Sequence, residues 1–148
     1  MNHNTRTLKL QAWGVIAVHF VIVVLHSIAH EVLPVKATPA QLAFIIPVIV
    51  LAPIAAGLII WKWTKAGTIL LAASMIGSFV FGLYYHFVAD TIDHVGHVAQ
   101  MQPPLWSQMF QVTAYLLAIS EFVGAALGVR WLIGLRQSFQ SYAARTGF

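Results

Sequence analysis

Long apolar runs alternate with short polar connections along this chain. Four runs stand out, at 13–33, 42–61, 68–88 and 109–133, each close to the roughly 20 residues a helix needs to cross a bilayer. Trp13, Trp61, Trp63 and Trp106 mark their ends, where aromatic rings commonly anchor at a membrane interface. The pattern predicts an all-α, integral membrane four-helix bundle, with residues 1–148 forming a single four-transmembrane-helix domain.

Helix punctuation refines this picture. Pro34 should stop the first helix, and Pro47 and Pro53 should bend the second, with neighbours satisfying the freed carbonyls. No proline falls between Thr68 and His97. The third helix is therefore predicted to run about 45 Å to about residue 99, past the roughly 30 Å hydrocarbon core and beyond the outer surface. Pro103-Pro104 should end any helix there, and the fourth should begin after Trp106. Gly124-x-x-x-Gly128 and the spacing Ser74–Ser78–Gly82 allow close helix approach. Residues 1–10 read as a polar tail with a solvated His3, and the basic stretch after Gly134 as a tail with a short interfacial helix. Residues 1–29 also resemble a secretory signal with Ser27-Ile28-Ala29 as its cleavage site, but the apolar run exceeds a usual signal core, so a retained helix is expected.

Composition sharpens the class. The chain is 59% hydrophobic and 8% charged, against about 25% charged in soluble domains. The absence of cysteine excludes disulfides, thiolate metal sites, iron–sulfur clusters and covalently attached haem. A net charge of +4 would by itself suggest nucleic acid, but the basic residues flank the apolar runs, so the expected partner is the lipid bilayer and no nucleic acid. Arg6, Lys9, Lys62, Lys65, Arg130, Arg136 and Arg145 fall on one side of a four-pass weave and only Lys36 on the other. The positive-inside rule then puts both termini in the cytoplasm of an inner membrane, with loops 34–41 and 89–108 outward.

The polar residues inside this apolar chain carry the candidate chemistry. On a helix, His19, His26 and His30 share an arc of roughly 40°, and His86, Asp90, Asp93 and His97 one of roughly 60°, with His94 beside it. If the two stripes face each other, His26, His30, His86 and Asp90 converge, capped by Asp93 and His97. Imidazoles with carboxylates suit zinc, iron or copper, so His26, His30, His86, Asp90, Asp93, His94 and His97 are the expected metal ligands, with enough donors for two ions. Glu31 is the candidate general base, facing the exterior or periplasm. Glu121 projects to the depth of His19; the two are expected to hydrogen-bond as glue, a proton path or a cofactor contact. Ionisable groups at such depth are costly and default to functional hypotheses.

The expected function is that of a metalloprotein, an oxidoreductase or hydrolase acting on a lipid-soluble or periplasmic substrate. The alternatives are a b-type haem or quinone-linked electron-transfer subunit working with partner membrane subunits, a metal- or proton-coupled carrier, and a hydrogen-bonded polar patch. The H-x-x-x-H of His26–His30 and the D-H-x-x-H of Asp93–His97 resemble the histidine boxes of membrane di-iron desaturases and hydroxylases. A third box is absent and those boxes face the cytoplasm, so that activity is not carried over. The helix-borne ligands are similar in kind to di-metal four-helix bundles, without their Glu-x-x-His pair.

The charge asymmetry yields the first prediction. A topology reporter fused after Phe148 should read cytoplasmic and one inserted at Gln100–Gln102 external; swapped signals would put the histidine stripes on the cytoplasmic side.

Overall fold

A computed structural model describes residues 3–146, and among these it is entirely helical, with no strand. The order is α1 (His3–Val32), α2 (Pro39–Phe44), a π-helical segment (Ile45–Leu51), α3 (Ala52–Lys62), α4 (Thr64–Leu83), a second π-helical segment (Tyr84–Val88), α5 (Val95–Val98) and α6 (Pro104–Thr146). Among the described residues four helical spans, Thr5–Val32, Pro39–Lys62, Thr64–Val88 and Pro104–Gln137, are long and apolar enough to cross a membrane. Their outward faces carry exposed Val18, Leu58, Val80 and Ile119, side chains that water would not favour but lipid would.

The helices are longer at both chain ends than their apolar runs. α1 begins at His3, so the expected polar tail is helical; Leu8, Ala12 and Ile16 form one buried stripe with Ile60 and Leu71. The side chain of His3 lies outside the described residues. α6 runs unbroken to Thr146 in place of a separate short helix after Gly134. At its other end α6 starts with Pro104 rather than after Trp106. Proline suits a first helical position, where its missing N–H would be unpaired in any case.

Small residues set the packing distances. A β-carbon on Gly128 would stand 2.8 Å from Ala72 Cβ, so α4 and α6 meet as closely as the Gly124-x-x-x-Gly128 pattern implies. One on Gly67 would stand 2.5 Å from the Ile60 nitrogen, which lets α4 fold straight back on α3 after Trp63. α1 packs along α6, and α4 along both α3 and α6.

The two prolines of the second span leave a wider mark than a bend. Pro53 has no N–H to close a turn onto Ile49, and its ring crowds the preceding carbonyls. The chain widens into π geometry, with Ala52 N–H donating to Pro47 O. His19, buried on α1, donates Nε2–H to the carbonyl of Ile49 at 3.1 Å. A buried orphan acceptor is thus satisfied from a neighbouring helix.

The third helix does not continue to residue 99. A second π turn closes with Ala89 N–H on Tyr84 O, and Ala89 then turns extended (ψ 133°). Residues 89–103 fold back over the bundle end, where Val98 is buried with Ala29, Leu33, Val35 and Phe110. This apolar contact, invisible to helix periodicity, outweighs another three turns of unsupported helix.

Replacing His19 with Phe should cost about 1–3 kcal/mol, the penalty for a buried carbonyl left unpaired. In a Pro53→Ala background the new amide can serve Ile49, and that cost should shrink. Thermal unfolding of the four proteins in detergent measures this coupling; equal His19→Phe losses in both backgrounds would reject the link between the proline and the histidine.

Candidate metal centre

His26 and His30 lie one turn apart on α1, and His86 on the second π segment is swung against them. The extra residue in a π turn rotates the succeeding side chains relative to their places on an α-helix, a device often found at functional sites. Ring centroids are 4.7 Å apart for His26–His30, 4.9 Å for His26–His86 and 6.1 Å for His30–His86. Phe110 of α6 is fully buried behind all three, its ring 4.6 Å from His26 and 4.8 Å from His30. One nitrogen from each histidine lies within 4.8 Å of the others, and this cluster could hold a metal ion.

The outer hydrogen bonds decide which nitrogens are free. His30 donates Nδ1–H to Val35 O at 2.8 Å, and His86 donates Nδ1–H to Asp93 O at 3.1 Å. His26 Nδ1 meets Thr113 Oγ1 at 2.9 Å. The Thr113 hydroxyl gives its one proton to Met109 O at 2.6 Å, so toward His26 it can only accept. Each ring therefore carries its proton on Nδ1 and, when neutral, a bare lone pair on Nε2. His26 Nε2 and His30 Nε2 stand 3.2 Å apart. Two lone pairs so close repel unless a cation or a shared proton lies between them. Two nitrogens at about 2.0–2.1 Å from one tetrahedral ion would be roughly 3.3–3.4 Å apart.

Asp93 is the carboxylate that joins this group. It is buried, accepts from Gln41 Nε2 at 3.1 Å, and its Oδ1 lies 4.0 Å from His30 Nδ1 with no hydrogen-bond partner among the described residues. The other expected ligands lie elsewhere. Asp90 is exposed, 3.2 Å from His97 Nε2, and His97 donates Nδ1–H to Thr91 O. His94 Nδ1 accepts from Gly96 N–H and caps α5. The helical spacing that aligned Asp90, His94 and His97 with His86 is lost once the helix ends at Val88. Glu31 points outward into an ion pair with Lys36 at 2.8 Å.

His19 and Glu121 are not hydrogen-bonded to each other. His19 serves Ile49, its Nδ1 lacking a partner, and Glu121 is 2% exposed with Oε2 likewise unpartnered among the described residues. Glu121 instead faces a cavity of about 420 Å³ that His26, His30, His86 and Asp93 also line. Three residues escaped sequence reasoning: Thr113 and Phe110, whose spacing on an apolar helix marks neither out, and Gln41, whose Thr38-x-x-Gln41 spacing signals a capping box but not its bond to Asp93. No protein family matches the chain, and no curated protein or solved structure matches it either.

Proposed function

We propose that this is a multi-pass membrane metalloprotein whose His26, His30 and His86 hold one transition-metal ion at the outer end of the bundle. The observation that carries this reading is geometric: each ring holds its Nδ1 against an outer oxygen, and one nitrogen from each of the three rings lies within 4.8 Å of the others. Metal-bound histidines are oriented in this way by acceptors behind the ring. Neutral imidazoles without thiolate favour zinc, copper or iron, and Asp93 supplies the nearest compensating negative charge. The outward location rests on the seven-to-one distribution of basic residues.

Three protein ligands leave a position open, the mark of catalytic rather than structural sites. The cavity adjoins that position. An ion there would polarise a bound water or substrate oxygen, which supports a metal-dependent oxidoreductase or hydrolase. Glu31 stands at the cavity rim, paired with Lys36, and could exchange protons with the exterior. Haem is a poorer fit, because edge-to-face rings under 5 Å apart leave no slot for a flat macrocycle between His26 and either neighbour.

Purified, chelator-treated protein should take up one equivalent of zinc or copper per chain. His30→Ala and His86→Ala should each lower the affinity by at least tenfold, and Thr113→Val, which removes the acceptor behind His26, by about 10–100-fold. His97→Ala should bind like wild type. Titration calorimetry distinguishes these outcomes. Equal binding by all four variants would defeat the assignment, and a Soret band in the protein as isolated would move it to haem.

A further inference from the structure

The cavity is far larger than a metal ion with its water requires. Its volume of about 420 Å³ falls in the range of small-molecule pockets, about 300–1,000 Å³, and equals roughly fourteen waters at about 30 Å³ each. Its walls are mostly alkyl and aromatic: Val23 from α1, Ile45 and Ile49 from the first π segment, Phe81 from α4, and Leu117 and Ala118 from α6. Water filling such a space would find few partners.

Apart from Ser27, Glu31 and Lys36 at the rim, the polar groups stand at two places on this wall. The histidine cluster and Asp93 Oδ1 stand toward the outer end. Glu121 stands four and three residues from the apolar wall positions Leu117 and Ala118, and its Oε2 faces Gly82. Oε2 is buried without a partner among the described residues, and a polar group left so costs about 1–3 kcal/mol. Among the described residues no cation reaches it: the cavity's single basic residue outside the histidines is Lys36, which is exposed at the rim and paired with Glu31. A β-carbon on Gly82 would lie 3.6 Å from Oε2, so glycine there leaves the carboxyl its approach. The lining residues that reach the surface are Ser27, Glu31, Lys36 and Leu42. They open the cavity between the outer half of α1 and α2, at the level expected for a lipid head-group boundary.

We infer that this cavity binds an apolar small molecule bearing one hydrogen-bond donor, a hydroxyl or an amine, which enters between α1 and α2 and donates to Glu121. The apolar lining rejects sugars and other polyols. Glycine at 82 and alanine at 118 give the molecule its room. The inference goes beyond the metal-centre reading and does not require an ion to be bound.

The test uses chelator-treated full-length protein in nanodiscs and two probes, decanol and decylamine, each carrying a diazirine at the tail. Saturable labelling of peptides containing Val23, Phe81 or Leu117 is expected, suppressed by excess parent decanol or decylamine and not by decane. Glu121→Leu should reduce labelling at least tenfold. Ala118→Trp, which fills the cavity and leaves the carboxyl in place, should do the same. Glu121→Gln separates the two donors: an alcohol still finds an amide oxygen, whereas an ammonium group loses its counter-charge. Labelling that does not saturate, or that is unchanged in both Glu121→Leu and Ala118→Trp, overturns the inference. Metal uptake is read separately on the same preparation. Metal without labelling removes the ligand site alone, and labelling without metal removes the metal centre alone.

Discussion

Each imidazole N–H of the His26, His30 and His86 cluster needs an oxygen, and the three oxygens that answer come from three different parts of the chain. Val35 lies just beyond α1, Asp93 in the loop after the second π turn, and Thr113 on α6. In an apolar interior an unpaired N–H is expensive, so these bonds tie the segments to one another as firmly as they orient the rings. The direction of the Nε2 lone pairs is a by-product of that constraint. A site able to hold a metal results because all three protons are drawn outward.

Both departures from α-helical geometry serve the same region. The first π segment, forced by Pro47 and Pro53, holds Ile45 and Ile49 on the cavity wall and is steadied by His19 through the Ile49 carbonyl. The second turns His86 inward and ends α4 early enough for residues 89–103 to fold back. Without that return, no carbonyl of Asp93 would stand behind His86. Phe110 then closes the group from the α6 side, replacing water around the rings with a rigid aromatic face. Exclusion of water there raises the cost of the facing lone pairs and hence the advantage of a cation between them.

Glu121 belongs to a different logic from the histidines. Their outer nitrogens are satisfied within the chain, whereas the Glu121 Oε2 has no partner among the described residues. A buried carboxyl oxygen without a partner is uncommon enough to call for an explanation. Its place on a cavity wall supplies one, since a bound molecule can offer what the protein does not. Histidine cluster and carboxyl thus face one apolar volume from two places on its wall.

The four helical spans and the convergence of His26, His30 and His86 were legible in the residues themselves. Apolar run length and the scarcity of charge leave few alternatives to four long helices, and a one-turn spacing puts His26 beside His30 whatever packs against them. The close approach of α4 and α6 was equally readable from Gly124 and Gly128, because glycine's lack of a side chain acts locally. Asp90, His94 and His97 were misplaced beside His86 because helical periodicity holds only while the helix lasts. Its end at Val88 was decided by Val98 packing on Leu33 and Phe110, a contact between residues distant in sequence. The pairing expected between His19 and Glu121 failed for a similar reason. Equal depth on two helices says nothing about facing, and the Ile49 carbonyl freed by Pro53 met the histidine first. What the residues alone determined was which side chains are too polar for their surroundings. Which of them meet, and which nitrogen of each ring is left bare, depended on carbonyls and a hydroxyl brought in from elsewhere in the fold. Backbone oxygens are the same at every position, and only the tertiary structure could assign them.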